Sequence, residues 1–128
     1  MNSPRKQLGD LQLAIMRVLW RRAEAAVSEV YEDLLAERGL APTTVATMLV
    51  KMEKKGVVRH RVEGRKFIYE PAVSEQEVTD SMVGQVTQRL FGGDVAAFAS
   101  HLLARSEIDP AELRTLKALI EEREREES

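Results

Sequence analysis

The sequence contains no cysteine, only two histidines and few aromatic residues, which make up 5% of the chain. Without cysteine, the chain can form no disulfide, no thiolate metal site and no cysteine nucleophile. No apolar run approaches the ~18 residues that a membrane span needs, and the N-terminus lacks the apolar core of a signal peptide. These absences predict a cytoplasmic protein that does not enter the membrane.

Patterns typical of catalysis are also missing. His60 and His101 lie about 40 positions apart in the chain, whereas a zinc site needs three or four clustered ligands. Gly92-Gly93 lacks the preceding strand, the spacing and the lysine of a phosphate-binding loop. No serine has a neighbouring base in a pattern typical of a nucleophile. We therefore expect no enzymatic activity, no metal and no cofactor.

The 128 residues carry a net charge of −2, and this charge is unevenly distributed. Residues 1–72 have 13 basic and 9 acidic side chains, whereas residues 73–128 have 6 and 12. Within the first part, residues 41–66 have 7 basic and 2 acidic side chains, a net charge of +5. This asymmetry favours a basic nucleic-acid-binding module followed by an acidic partner module.

Helical periodicity predicts two short helices before the basic segment, over residues 10–22 and 28–38. Gly39, just after the second of them, is a typical left-handed helix stop. Residues 23–27 between the two helices predict an extended connection or one minor strand. Only a few residues separate the second helix from the next one, as in a helix-turn-helix.

A third helix is predicted over residues 42–55, with Pro42 at its first position and Gly56 just after its end. At about 100° per residue, apolar side chains such as Val45 and Met52 share one face. Hydroxyl and ammonium groups lie on a second face, centred well away from the apolar one. We expect the apolar face to pack on the first two helices and the polar face to remain exposed.

A hairpin is predicted after this helix. Residues 57–62 and 65–70 are rich in β-branched and aromatic side chains, and an X-Gly pair lies between them. This pattern predicts two strands with their turn at 63–64, in a register that places His60 opposite Phe67. Alternation along the strands then separates most basic side chains from the aromatic ones.

Start signals for three further helices follow, at Ser74, Asp94 and Asp109. With about 55 residues, these helices are too few to bury their apolar stripes in a core of their own. We expect two copies of the chain to bury the stripes together; the alternative is that the helices fold back onto the N-terminal module. The predicted dimerisation residues are Val78, Met82, Val86, Leu90, Phe98, Leu102, Leu113, Leu116, Leu119 and Ile120.

This layout is that of a winged helix-turn-helix, mainly α with a small β-hairpin, whose target is duplex DNA. The third helix fits the major groove, where threonine can contact the thymine methyl group and bond base edges. Thr44 and Thr47 are the predicted base readers, while the lysines and the basic hairpin residues meet phosphates, guanine or the minor groove. The predicted DNA contacts are Thr43, Thr44, Thr47, Lys51, Lys54, Arg59, Arg61, Arg65 and Lys66.

Three segments of the chain resemble those of a known protein family. They are residues 8–20, which end in Leu-Trp, residues 43–58, which contain Thr-Val-Ala-Thr, and residues 63–69, Glu-Gly-Arg-Lys-Phe-Ile-Tyr. Together they resemble the BlaI/MecI/CopY family of bacterial penicillinase-type repressors, over nearly the whole chain. The resemblance implies a dimeric winged-helix repressor that reads a palindromic operator and dimerises through three C-terminal helices.

Two features of that family are absent. In its best-known members, a membrane sensor protease triggers cleavage at an Asn-Phe pair in the dimerisation region, and the matching place here is His101-Leu102. The copper-responsive branch has a C-terminal cysteine cluster, and this chain has no cysteine. By resemblance, DNA reading therefore carries over and a membrane sensor protease stays open as a partner, whereas cleavage at an Asn-Phe pair and the copper signal do not carry over.

We therefore expect a homodimeric, sequence-specific repressor with its DNA-binding domain in residues 1–72 and its dimerisation region in residues 73–128. One alternative is a small-ligand-responsive winged-helix regulator, which requires polar groups converging in a pocket of the C-terminal helices. Another is a winged helix that binds protein, against which the net charge of +5 over residues 41–66 argues.

Overall fold

The computed structural model of the chain describes residues 8–127, except for the side chains of residues 37 and 38. Over this part the chain is mainly helical, as predicted, and none of its helices is both long and apolar enough to span a membrane. The elements are α1 (Asp10–Arg22), β1 (Ala25–Ala26), α2 (Val27–Arg38), α3 (Pro42–Lys55), β2 (Val58–Glu63), β3 (Lys66–Pro71), α4 (Glu75–Phe91), α5 (Val95–Arg105) and α6 (Pro110–Glu127).

Helix α3 has the predicted bounds because both of its ends are defined locally. Pro42 occupies the first helical position, where its fixed φ suits a helix and its missing N–H is not needed. Gly56 follows the last turn with a φ of 83°, a left-handed conformation that is strained for other residues. Its N–H donates to the carbonyls of Met52 and Glu53. This stop ends α3 two residues before β2.

Helices α1–α3 and the sheet share one apolar core, which belongs to a compact unit that ends at Val86. Burying each such Val, Leu or Ile contributes about 1.5–3 kcal/mol to stability. Val73 and Val78 belong to this core as well, although they follow the hairpin. The predicted boundary at residue 72, between a DNA-binding domain and a dimerisation region, stays a prediction. Fully buried core side chains include Ile15, Met16, Leu19, Val30, Val45, Leu49, Met52, Val57 and Tyr69.

The sheet has three antiparallel strands in the order β1-β3-β2, so the predicted minor strand is confirmed. The predicted hairpin register is wrong by two residues, because His60 lies opposite Tyr69 and not opposite Phe67. The two loop residues are Gly64 and Arg65, and Gly64 has a φ of 65°. A positive φ at the first loop position is typical of two-residue hairpin loops and favours glycine there, in agreement with this register. Since the shift is even, each side chain keeps its predicted face.

Of the described residues, 87–127 belong to a second compact unit. The Asp94 carboxylate accepts a hydrogen bond from the N–H of Ala97 at 2.9 Å and so starts α5. Phe91 and Phe98 stack with their ring centroids 5.1 Å apart. Over α5 and α6, all of which the structure describes, no side chain is buried.

Candidate nucleic-acid interface

Helix α3 has one buried face and one exposed face. Val45 and Met52 have no exposed area, whereas Thr47 lies nearly opposite them around the helix axis and is exposed. Thr47 therefore lies near the centre of the solvent face. A shallow depression of about 250 Å³ runs along it, lined by Thr43, Thr44, Thr47, Met48 and Lys51. The three threonines and Lys51 predicted to contact DNA thus share one open surface.

Val50 also lies on this surface, and it was not among the predicted contacts. Its side chain is 47% exposed and lies one helical turn from both Thr47 and Lys54. An apolar side chain on a reading helix can contact the methyl group of thymine. The helical projection of the sequence places Val50 outside the apolar arc, and that signal identifies it as a candidate.

The flank of α3 is fixed to α1 through one glutamine. The Gln12 amide donates to the sulfur of Met48 at 3.3 Å, and its oxygen accepts a hydrogen bond from the Lys55 ammonium at 3.1 Å. Lys55 is therefore engaged beside α1. These contacts hold the solvent face of α3 in a fixed orientation on the first unit.

Two of the predicted hairpin contacts are engaged in ion pairs within the chain. Arg59 donates to the Glu70 carboxylate at 2.6 Å, across the β2–β3 pair. Arg61 donates to Glu24 at 2.7 and 3.0 Å, and to Glu63 at 3.0 Å. The bond from Arg61 holds the pKa of the Glu24 carboxyl below its ordinary value, and the bond to Glu24 raises the pKa of Arg61. These two guanidinium groups brace the hairpin.

Four other predicted contacts are exposed and form no ion pair with any side chain that the structure describes. Lys51 and Lys54 lie on α3, while Arg65 and Lys66 lie at the tip of the hairpin. The two tip residues also border a depression of about 250 Å³ at the start of α2. Within residues 8–127, these four cations therefore place positive charge at two sites, the solvent face of α3 and the hairpin tip.

The residues predicted for dimerisation divide into two groups. Val78 is buried in the core of the first unit and Met82 packs against that core, so both are occupied within one copy of the chain. The others are exposed or half-buried. These are Val86, Leu90, Phe98, Leu102, Leu113, Leu116, Leu119 and Ile120.

Comparison with known proteins assigns this arrangement to a family. The family model described as penicillinase repressor matches residues 8–122. The chain belongs to the penicillinase repressor family. The penicillinase repressor of Bacillus licheniformis is 28% identical to it over 116 residues, which cover 91% of each chain. The transcriptional regulator BlaI of Mycobacterium tuberculosis is 37% identical over 108 residues, which cover 83% of this chain and 78% of the regulator.

The fold of this family member is also similar to a solved structure. The solution structure of the DNA-binding domain of the repressor BlaI aligns with a TM-score of 0.53 and 34% sequence identity. The alignment covers 60% of this chain and 93% of that domain. The predicted winged-helix fold is therefore confirmed. The individual residues predicted to contact DNA and the predicted dimer stay predictions.

Proposed function

We propose that the chain is a sequence-specific DNA-binding transcriptional repressor that acts as a homodimer on a palindromic operator. The main support for a DNA target is the open face of α3. There, Thr43, Thr44 and Thr47 lie beside the exposed ammonium groups of Lys51 and Lys54. The similarity to the DNA-binding domain of the repressor BlaI supports the same target.

In this proposal α3 lies in the major groove. Thr47, near the centre of the solvent face, reads base edges, with Thr44 and Val50 on either side of it. Hydroxyl groups bond base edges, and the methyl groups of threonine and valine contact thymine. Lys51 and Lys54 contact the backbone or guanine. Occupancy of the operator blocks transcription, so no chemical step is required.

The hairpin contacts the backbone beside the groove through its tip. Arg65 and Lys66 are unpaired among the described residues and available to phosphates, which fix the register and orientation of a protein on the duplex. Arg59 and Arg61 contribute indirectly. The ion pair of Arg59 with Glu70 joins the two strands of the hairpin, and the ion pair of Arg61 with Glu24 links the hairpin to the segment before β1.

The homodimer is supported by the unburied apolar side chains of the second unit. A groove of about 320 Å³ runs between α5 and α6 and is lined mainly by apolar residues, including Leu102, Leu103, Leu116 and Ile120. Exposed apolar surface of this kind marks an interaction site. A second copy supplies matching helices, and its two-fold symmetry matches that of a palindromic operator. Ser106, Glu107 and Glu112 are the polar members of the lining, and the apolar majority favours the helices of a second copy over a small polar ligand.

A mobility-shift titration tests the DNA target, with duplexes selected from a random pool by the full chain. Between roughly 50 and 200 mM salt, affinity should fall steeply, because each neutralised phosphate contributes a slope of about −0.9 in log affinity against log salt. Sedimentation of the free chain should show a dimer. Binding that is flat across this salt range would contradict a phosphate-anchored complex and favour a protein partner.

A further inference from the structure

Glu53 in the last turn of α3 and His60 in β2 are in direct contact. The Nδ1 atom of His60 lies 2.7 Å from one carboxylate oxygen of Glu53 and 2.8 Å from the other. Because an ionised carboxylate only accepts hydrogen bonds, Nδ1 is the donor. One imidazole N–H is therefore shared between both oxygens of an acidic side chain on the proposed reading helix.

The opposite strand holds the same imidazole from another side. Its ring stacks on Phe67 with centroids 4.5 Å apart and an interplanar angle of 22°. The Tyr69 ring lies 5.4 Å away, in the residue directly opposite His60 across the β2–β3 pair. His60 thus joins α3, β2 and β3 at one point, and both side chains of the Glu53–His60 pair are only about one-third exposed, at 33% and 29%.

This contact joins the two elements that carry the exposed cations. Lys51 and Lys54 precede and follow Glu53 on α3, and Arg65 and Lys66 lie at the tip of the strands that His60 and Phe67 occupy. A two-stranded hairpin has little stability of its own and takes its orientation from what it packs on. Fixing the hairpin on α3 therefore fixes the spacing between the two groups of cations.

We propose that Glu53 and His60 are positioning residues for DNA binding, which set the hairpin at the angle where its tip reaches backbone phosphates while α3 lies in the major groove. The inference rests on the proposed function. Neither side chain contacts DNA in this role. A carboxylate on the reading helix repels backbone phosphates and so lowers the affinity for DNA. By holding the hairpin in place, Glu53 offsets this loss of affinity.

The sign of the effect separates this role from simple charge. If Glu53 acts only as a negative charge near DNA, both Glu53→Ala and Glu53→Gln raise affinity to the same extent. If Glu53 holds the hairpin, Glu53→Ala lowers affinity although it removes a repulsive charge. Glu53→Gln keeps an amide oxygen that accepts from Nδ1, and so restores much of the loss.

The experiment measures affinity of the full chain for a duplex selected by the wild-type protein, over a series of salt concentrations. We expect Glu53→Ala and His60→Ala to weaken binding about tenfold and to reduce the salt slope by about 2, one for each phosphate that the displaced hairpin tip no longer neutralises. The double variant should bind no more weakly than either single variant, because both remove the same interaction. His60→Gln, whose amide can donate to Glu53, should bind more tightly than His60→Ala.

The matched control is Glu63→Ala, which removes a hairpin carboxylate that pairs with Arg61 and which leaves the Glu53–His60 pair intact. It should leave the salt slope unchanged and should not weaken binding. Thermal unfolding of each variant gives the temperature range in which all of them are folded. If an alanine variant unfolds within the range of the assay, the conservative variants Glu53→Gln and His60→Gln are compared with the wild-type chain instead.

Two different failures are distinguishable. If the wild-type chain shows no salt-dependent binding to duplex DNA, the proposed function is wrong. In the other case, the wild-type chain binds duplex DNA, and both Glu53→Ala and Glu53→Gln bind it at least as tightly as the wild-type chain does, with an unchanged salt slope. The positioning role alone is then wrong.

Discussion

The indole Nε1 of Trp20 donates a hydrogen bond to the backbone carbonyl of Val73, 3.0 Å away and 53 positions later in the chain. Trp20 lies in the last part of α1, and Val73 follows the last strand of the hairpin. The bond therefore ties the first helix to the segment that leaves the hairpin. It gives a structural role to the Leu-Trp pair that the sequence shows at the end of α1.

Removing this donor should destabilise the first unit. Trp20→Phe keeps an aromatic ring but leaves the Val73 carbonyl without the indole N–H, which should cost about 1–2 kcal/mol of unfolding free energy. Urea unfolding followed by circular dichroism measures the loss. Tyr31→Phe is the matched control, because the half-buried Tyr31 hydroxyl makes no hydrogen bond to any residue the structure describes. Equal unfolding midpoints for the two variants would rule out a stabilising role for the bond.

Thr47, near the centre of the solvent face of α3, should read bases. Thr47→Ala is expected to cost about 1–3 kcal/mol on a selected operator duplex and less on random duplex DNA. Thr47→Ser keeps the hydroxyl and loses the methyl group, so it shows which of the two is read. Mobility-shift titrations on both duplexes give the comparison. Equal losses on the two DNAs would make Thr47 a backbone-positioning residue.

Unpaired and paired arginines of the hairpin should differ in their effect on salt dependence. Arg65→Ala removes an exposed cation at the tip, and the slope of log affinity against log salt should fall by about 1. Arg59→Ala removes a guanidinium that already pairs with Glu70, and the slope should stay unchanged. Titrations at several salt concentrations measure both slopes. A similar fall for the two variants would place Arg59 on the DNA as well.

The difference between these arginines shows where sequence reasoning reaches its limit. The faces of α3 follow from local periodicity, so Thr47 and Val45 could be placed on opposite sides from the sequence alone. The partner of Arg61 could not, because Glu24 is 37 positions away and is brought near it only by the fold. Basic composition predicts a DNA-binding surface, but which cations are unpaired depends on long-range contacts.

The hairpin shows the same limit on a smaller scale. Alternation of side chains assigned the correct faces, since the period along a strand is two. The register depends on which two residues form the loop, and these are Gly64 and Arg65 because Glu63 pairs with Lys66. The contact between His60 and Glu53 likewise depends on how β2 packs against the end of α3.

The ion pairs between α1 and α2 predict a loss of stability in acid. Hydrogen bonds from Arg22 and then Arg21 lower the pKa of Asp33 from its ordinary 3.8 to about 2. Because the folded-state pKa is the lower one, Asp33 stabilises the fold above about pH 4, and this contribution is lost as the pH falls towards 2. With the side chain 18% exposed, the contribution is about 1–2 kcal/mol.

Asp33→Asn tests this contribution. The variant should be less stable than the wild-type chain at pH 5, and the gap in unfolding free energy should close between pH 4 and pH 2, by about 1–2 kcal/mol. Urea unfolding at a series of pH values gives the gap directly. Glu32→Gln, a change at the next residue, serves as a control without the ion pair. A gap that stays constant down to pH 2 would show that the effect of Asp33 does not come from its charge.

Removing the second unit should separate DNA binding from dimerisation. A chain that ends at Val86 keeps Val73 and Val78 in the core, so it should fold as a monomer and bind the selected operator more weakly than the full chain. A chain that ends at residue 72 loses the carbonyl that accepts from Trp20 and should be less stable. Sedimentation and urea unfolding measure these two effects.

In the full chain, Leu116→Asp introduces a charge into the apolar groove between α5 and α6 and should give the same weak binding without truncation. A dimeric 1–86 fragment would place the dimer contacts in the first unit.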